Sequence, residues 1–139
     1  MLFRSLEAAT GRGATILAEL VGYGVSADAV HITKPDPQGQ ARAVKQALAD
    51  AGITPEAIAY VNAHGTATQV GDIAETETLK LVFGEHAKRL AISSTKAIHG
   101  HTFGAAGALE LLITVMAQRA GVAPPTAFLD EPEIGRAHV

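Results

Sequence analysis

The sequence contains no cysteine and no tryptophan, and only 4% of its 139 residues are aromatic. The absence of cysteine excludes disulfides, thiolate metal ligands and a cysteine nucleophile within this chain. An excess of positive charge is also missing, because 11 Lys and Arg stand against 14 Asp and Glu, for a net charge of -3. The chain therefore lacks the basic field that attracts nucleic acid or an anionic membrane surface.

Long uninterrupted apolar runs are absent as well. The longest apolar stretch, Gly107 to Val122, is broken by Glu110, Gln118 and Arg119 and is too short to span a bilayer. The N-terminus does not show the order of charged, apolar and small residues that marks a signal peptide. We therefore expect a single ordinary domain located in the cytoplasm.

Apolar runs and helical periodicities alternate along the chain. The run Ala14 to Gly22, apolar on both faces except for Glu19, is typical of a strand buried in a layered sheet. The run Lys34 to Gln40 carries two prolines and a glycine, which predicts a surface loop. The order of elements predicts an α/β layered sheet that is at least partly parallel. The other predicted elements are a helix with Val44, Leu48 and Ala51 on one face that stops at Gly52, a strand at Ala57 to Asn62, a helix from about Asp72 to Phe83, a strand from about Leu90 to Ser93, and a helix from about Phe103 to Ala120 that is buried on most sides.

Four polar or glycine-rich segments stand at the ends of predicted strands or the starts of helices, where open α/β sheets place their sites. Taken singly, His64 and His101 are more readily explained as surface or packing histidines than as catalytic ones. Their joint position at strand-to-loop junctions beside glycine, which lets a substrate approach closely, makes a site as plausible as packing. The four segments are NAHGTAT (62–68), GDIAE (71–75), SSTK (93–96) and HGHTFGAAGA (99–108).

The remaining polar residues have simpler explanations from the sequence alone. Asp72 and Glu75 lie three residues apart at a helix start, which favours capping and ion pairing, with Lys96 as a candidate partner. The GAAGA run (104–108) favours tight helix packing, since neither the dinucleotide fingerprint nor the P-loop spacing is present. His99 and His101, together with His64, are possible zinc or iron ligands, but no HExxH-like pair supports this, so no metal is expected.

The ordered set of motifs resembles the C-terminal half of the β-ketoacyl-acyl carrier protein synthases, the elongating condensing enzymes of the thiolase superfamily. The residues that carry the resemblance are YVNAHGTATQVGDIAE, then SSTK, GHTFGAAGALE and PPT, with Leu129, Asp130 and Pro132 after them. AELVGYG (18–24) is similar to the strand that closes the N-terminal half of that family. The resemblance runs from about Arg12 to Pro132 and implies a thiolase-like layered α-β-α-β-α fold, here in partial copy.

The resemblance also implies a reaction and a set of roles. The family performs a decarboxylative Claisen condensation between an acyl group held on a cysteine and malonyl-acyl carrier protein, and needs no cofactor. His64 and His101 match its two catalytic histidines, and Lys96 matches its active-site lysine, with Glu75 as the candidate carboxylate partner. Two neutral imidazoles that aim N–H groups at the malonyl thioester oxygen would stabilise the charge that decarboxylation places there.

Further roles follow from the same resemblance. Thr66 and Thr68 match threonines that hydrogen-bond the phosphopantetheine arm of acyl carrier protein, and Asp72 and Glu75 are expected to support the site. The partners implied are acyl carrier protein and a second copy in a homodimer. Three positions depart from the family's usual residues without touching the expected roles: Ala67 in place of serine, Gln69 in place of proline, and His99 where threonine or isoleucine is frequent.

The family's nucleophilic cysteine lies upstream of the matched region, and none is present here. We therefore expect the chain to be a slice of a larger enzyme and inactive alone. Residues 13–33 would end the N-terminal thiolase-like half and residues 34–132 would form part of the C-terminal half. Residues 1–12 and 133–139 are expected to be tails that are at least partly artefactual, because Leu2–Ser5 and Ile134–Val139 are what common sequencing-adapter DNA encodes.

Two other functions are also compatible with the sequence. One is a non-catalytic partner subunit resembling a chain-length factor, which would lack the upstream cysteine. The other is a small self-contained α/β domain that binds a metal. Retention of His64, His101 and Lys96 favours the enzyme, since a subunit without a carbanion has little use for the histidine pair.

Overall fold

A computed structural model describes residues 3–130 of the chain. Two short strands, β1 and β2, pair in parallel with Tyr60 opposite Ala91 and Asn62 opposite Ser93. Helices stand between and after the strands, so the prediction of an α/β domain with parallel pairing is confirmed. The elements are α1 (Leu6–Gly11), α2 (Pro37–Ala51), a 3-10 turn (Pro55–Ala57), β1 (Tyr60–Asn62), α3 (Gln69–Phe83), a 3-10 turn (Gly84–Lys88), β2 (Ala91–Ser93), α4 (Lys96–His99), a 3-10 turn (Phe103–Ala105) and α5 (Ala106–Ala120).

The core lies between α2, α3 and the strand pair. Its largest buried side chains include Leu79 and Phe83 of α3, Leu48 of α2 and Ile92 of β2, which is 1% exposed. The hydroxyl of Thr78 adds a polar link between the two helices, because it lies 2.7 Å from the side-chain oxygen of Gln40 on α2. This packing holds the strand pair from one side and fixes where its two carboxyl ends lie.

Helix α2 begins earlier than the sequence predicted. Pro37, inside the run predicted as a loop from Lys34 to Gln40, is the first helical residue. The side chain of Asp36 caps the helix by accepting hydrogen bonds from the N–H groups of Gln38 and Gly39 at 3.3 and 2.9 Å. Proline is favoured at a first helical position because the N–H it lacks would have no partner there. The predicted stop at Gly52 is confirmed, with a left-handed φ of 67°.

The predicted buried strand from Ala14 to Gly22 is wrong. This segment has no regular secondary structure, and Ile16, Leu20 and Val21 are 45%, 66% and 54% exposed. The apolar pattern indicated burial, but a strand also needs a neighbouring strand for its backbone hydrogen bonds. Within residues 3–130, β1 and β2 pair with each other and with nothing else.

The chain just after this segment runs along α2 instead. The N–H groups of Tyr23 and Val25 donate to the side chains of Asp50 and Gln46, at 2.9 and 3.2 Å. Between them, Gly24 lies so close to the helix that a Cβ atom there would stand 1.9 Å from a backbone carbonyl oxygen of α2. Glycine is therefore required at this crossing.

The other predicted elements are present with shifted ends. The predicted strands at Ala57–Asn62 and Leu90–Ser93 shorten to β1 and β2, and the predicted helix at Asp72–Phe83 starts three residues earlier as α3. The predicted long helix starts with a 3-10 turn and becomes α5 at Ala106. Its expected burial on most sides is wrong, because in residues 3–130 its buried residues are Ala106 and Val115.

Residues 6–11 of the predicted N-terminal tail form α1, whereas the predicted tail at 133–139 lies outside the residues that the structure describes. Between residues 3 and 130, no helix combines the length and apolar character needed to cross a bilayer.

Candidate active site

The two strand ends place the candidate residues at one edge of the sheet. The loop after β1 carries His64, and the loop after β2 carries Lys96 at the start of α4. The two loops are in close contact, because the hydroxyl of Ser94 donates to the carbonyl of Gly65 at 2.8 Å. A Cβ atom on Gly65 would lie 2.5 Å from the Cβ of Ser94, so glycine is needed for this approach. The sheet therefore brings the predicted segments together.

His64 and His101 come together although 36 residues separate them along the chain. Their ring centroids lie 5.2 Å apart, and the ring planes are nearly perpendicular at 84°. Both side chains are exposed at the edge of the sheet. Rings at this separation can each direct an N–H group at one shared oxygen atom about 2.9 Å from each nitrogen.

The hydrogen bonds of His101 define which ring nitrogen donates. Its Nδ1 accepts the backbone N–H of Phe103 at 3.3 Å, so in the neutral ring the proton is on Nε2. The phenyl ring of Phe103 stacks on the imidazole with centroids 4.9 Å apart and planes 13° apart. Phe103 has a φ of 48°, which is a strained value for an aromatic residue. The backbone thus accepts strain at the position that covers one face of His101.

The predicted partnership of Lys96 with Glu75 is wrong. The ammonium group of Lys96 instead forms a salt bridge with Glu110 in the first turns of α5, and the two side chains are 5% and 16% exposed. A buried charge needs an opposite charge nearby, and Glu110 meets that need for Lys96. The pair ties the start of α4 to the start of α5 on either side of the loop that carries His101.

Glu75 is occupied elsewhere, which explains the error. Its two carboxylate oxygens accept the backbone N–H groups of His64 and Gly65 at 2.7 and 2.8 Å. Those N–H groups follow β1 and have left its ladder, so they need an acceptor. Glu75 therefore fixes the backbone that carries His64.

The remaining predicted residues lie at the start of α3. The hydroxyls of Thr66 and Thr68 are 3.2 Å apart, with Ala67 between them at a left-handed φ of 59°. Asp72 lies in the first turn of α3, as its expected stabilisation of the helix start requires, and its N–H donates to the carbonyl of Thr68 at 2.9 Å. The two hydroxyls thus lie on the same loop as His64.

Comparison with known proteins identifies the family. Residues 17–130 match the family model described as β-ketoacyl synthase, C-terminal domain. The chain belongs to the β-ketoacyl synthase family. It is 50% identical to 3-oxoacyl-[acyl-carrier-protein] synthase 2 of Coxiella burnetii over 97% of this chain and 33% of that protein.

Solved β-ketoacyl synthases share the structure. The chain superposes on one from Burkholderia phymatum STM815 with a TM-score of 0.84 and 45% identity, over 96% of this chain and 31% of the other. It also superposes, with a TM-score of 0.77 and 41% identity, on a type II polyketide ketosynthase solved with its acyl-carrier protein and bound to a hexaketide, over 81% of this chain and 28% of that one. The predicted thiolase-like fold in partial copy is confirmed, and the chain spans about a third of the length of these relatives.

Sequence reasoning missed the roles of Glu110 and Asn62 in this β-ketoacyl synthase site. Glu110 was visible as a lone carboxylate that interrupts the apolar run of α5, a signal that a buried partner was needed. Asn62 lies in the candidate segment NAHGTAT (62–68), but nothing in that segment indicated its partners. Its amide nitrogen lies 3.4 Å from both the carbonyl of Glu110 and the hydroxyl of Thr114, which joins the end of β1 to α5.

His99 is one of the three histidines that the sequence offers as possible metal ligands. His99 is engaged by Thr95 and by the carbonyl of Gly100, at 3.0 and 2.7 Å. Across residues 3–130, no three His, Asp or Glu side chains are grouped so that they could hold a metal ion. The expectation of no metal still rests on the sequence, which lacks an HExxH-like pair.

Proposed function

We propose that the protein to which this chain belongs is a β-ketoacyl-acyl carrier protein synthase. It joins an acyl group to the two-carbon unit of malonyl-acyl carrier protein in fatty acid or polyketide elongation. The observation that carries the proposal is the pairing of His64 and His101 at 5.2 Å, with the Nε2 proton of His101 available to donate. Membership of the β-ketoacyl synthase family supports it.

The histidine pair serves the charge that appears during decarboxylation. When the malonyl carboxylate leaves as carbon dioxide, the electron pair of the broken carbon–carbon bond moves onto the thioester carbonyl oxygen. N–H donors fixed before the reaction stabilise that oxyanion, and one such donor is worth about 10²- to 10³-fold in rate. The resulting carbanion attacks the carbonyl carbon of the acyl thioester, a new carbon–carbon bond forms, and the cysteine thiolate leaves. Because this chain has no cysteine, that thiol comes from another part of the protein.

The other site residues keep the pair in place and hold the substrate. Glu75 fixes the backbone of His64, and the Lys96–Glu110 salt bridge braces the loop of His101. Asp72 stabilises the start of α3 behind them. Thr66 and Thr68 hydrogen-bond the phosphopantetheine arm through their paired hydroxyls.

The wider setting is part of the same proposal. Acyl carrier protein is the partner, and the solved complex of a related ketosynthase with its acyl-carrier protein supports this choice. The protein acts in the cytoplasm as a homodimer, without cofactor or metal and without nucleic acid or membrane partners. Residues 13–33 end its N-terminal half, and residues 34–132 form part of its C-terminal half.

The test uses the complete protein recovered from its source DNA. His64→Ala and His101→Ala are each expected to lower the rate of condensation by about 10²- to 10³-fold, since each removes one donor. His31→Ala is the matched control, because His31 is exposed and, among residues 3–130, hydrogen-bonds Thr33 of its own loop. Turnover of carrier-protein thioesters is followed by mass spectrometry. Full turnover in either site variant would contradict the proposal.

The part of the protein upstream of this chain also distinguishes the condensing enzyme from the non-catalytic partner subunit. A cysteine whose replacement by alanine abolishes acyl transfer supports the condensing enzyme. A protein without that cysteine and without turnover would instead support a partner subunit resembling a chain-length factor.

A further inference from the structure

His99 is a polar residue of the site that the proposed reaction does not use. It is the last residue of α4, half-buried, and lies two residues before His101. Between them, Gly100 has φ 74° and ψ 177°, a backbone conformation that favours glycine. The loop to His101 therefore starts with a residue that has no side chain to hold it.

The imidazole of His99 supplies that hold. Its Nδ1 lies 2.7 Å from the carbonyl oxygen of Gly100. A carbonyl can only accept, so Nδ1 carries the proton and donates it. That oxygen belongs to the peptide group that also contains the N–H of His101. His99 thus anchors the peptide plane from which His101 projects.

The other ring nitrogen is anchored in turn. In the neutral ring Nε2 is an acceptor, and the hydroxyl of Thr95, which is 3% exposed, donates to it at 3.0 Å. The oxygen of Thr95 is then free to accept from the amide of Asn62 at 3.5 Å. These three hydrogen bonds run in one consistent direction, from the amide of Asn62 through Thr95 and His99 to the carbonyl of Gly100.

This series of hydrogen bonds begins at Asn62, in the interior that also holds the Lys96–Glu110 salt bridge. The Asn62 amide nitrogen contacts the backbone carbonyl of Glu110, whose side chain pairs with Lys96. Resting on the function proposed above, we propose that His99 is a positioning residue for His101. It transmits the fixed geometry of β1 and α5 to the Gly100–His101 peptide and so sets the direction of the His101 donor.

The test uses a matched pair of variants in the complete protein. In His99→Asn the side-chain amide N–H stands at the δ position and still reaches the Gly100 carbonyl. In His99→Gln the amide stands one bond further out, so it keeps a group near Thr95 and loses the bond to Gly100. His31→Gln is the control for a histidine outside the site.

The expected kinetic result is a difference in kcat between the two variants. Loss of alignment in His99→Gln lowers kcat on the order of tenfold with KM for malonyl-acyl carrier protein unchanged, whereas His99→Asn stays within about threefold of the parent protein. Both keep the parent's Tm. Equal kcat in the two variants, or a fall in kcat that follows a fall in Tm, would overturn the proposal.

Crystal structures of the two variants provide a readout that does not depend on turnover. The Gly100–His101 peptide and the His101 ring should keep one orientation in His99→Asn and change or split into two conformers in His99→Gln. An unchanged His101 in His99→Gln would overturn the positioning role even if the protein catalysed another reaction. Inactivity of the parent protein with its substrates would count against the proposed function alone.

Discussion

Helices α3 and α5 are each 15 residues long, but they are buried to different extents. Helix α3 has four charged residues and buries six side chains, including Leu79, Val82 and Phe83. Helix α5 has two charged residues and buries two side chains, while Met116 on it is 53% exposed. The more apolar helix is therefore the less buried one.

The two helices differ in where the surface that covers them lies. Helix α3 meets its matching surface on α2 and the strand pair, inside this chain. Helix α5 is joined to the rest of the chain by polar links, the Lys96–Glu110 salt bridge and the amide of Asn62, and its Leu111 and Val115 line a cavity that is open toward the irregular segment 14–20. Because the chain spans about a third of its relatives, we infer that the apolar surface of α5 packs against the other parts of the complete protein.

The largest expected effect comes from breaking the core under α3. Phe83→Ala in the complete protein removes a side chain that is 5% exposed, and the transfer and cavity terms together cost about 3–5 kcal/mol. Glu77→Ala, at a charged and exposed position of the same helix, is the control and should change the free energy of unfolding by no more than about 0.5 kcal/mol. Thermal unfolding followed by calorimetry measures both, and similar Tm values would contradict the packing described.

The next largest effect tests the inferred packing of α5. A charge on its apolar surface should help the isolated chain and destabilise the complete protein. Met116→Lys should raise the soluble yield of the 139-residue chain expressed alone, because it adds charge to an exposed apolar surface. In the complete protein the same change should cost about 2 kcal/mol or more, because the charge would be buried. Gln118→Lys, at an exposed polar position of α5, is the control in both contexts. A Met116→Lys variant with the parent Tm in the complete protein would refute the inferred packing of α5.

Helices α3 and α5 also show how much of the fold could be predicted from the sequence alone. The end of α3 at Phe83 and the α/β order followed from apolar periodicity, and the motifs located both histidines. The burial of α5 could not be predicted, because periodicity identifies an apolar face without identifying what covers it. The same holds for the segment Ala14–Gly22, whose pattern indicated a strand although no partner strand lies in residues 3–130.

The sequence predicted where a charged residue lies more easily than which residue it pairs with. Glu75 and Glu110 were both carboxylates close to Lys96 in the motif order, and sequence spacing did not rank them. The backbone decides, since the N–H groups of His64 and Gly65 occupy Glu75 and leave Glu110 to Lys96. Likewise, the role of His99 depends on the φ and ψ of Gly100, which no residue pattern displays.

The smallest expected effect concerns Tyr60 of β1, whose pKa responds to burial, to Ser93 of β2 and to the charge of Glu110 on α5. Burial raises the pKa of Tyr60 above its usual value of 10.0; the hydrogen bond with Ser93 at 2.9 Å lowers that pKa, and the nearby charge of Glu110 raises it. Because the folded state holds this proton more tightly, the stability it contributes is present below about pH 10 and is lost as the pH rises through the higher folded-state pKa.

Absorbance of tyrosinate, taken as the difference between the complete protein and its Tyr60→Phe variant, measures this titration. Glu110→Gln should move the titration to lower pH, since it removes one cause of the raised pKa. Tyr23→Phe, at an exposed position, is the control for loss of a tyrosine elsewhere. A Tyr60 that titrates below pH 10 would contradict the burial of this side chain.

The contact between Gly65 and Ser94 has a consequence for the relative motion of the two loops that carry them. A Cβ atom would already overlap there, so the loops after β1 and β2 have no free volume in which to slide past each other. We therefore expect the loops that follow the two strands to keep their relative position, so that a charge forming at this edge of the sheet would meet little reorganisation of the protein.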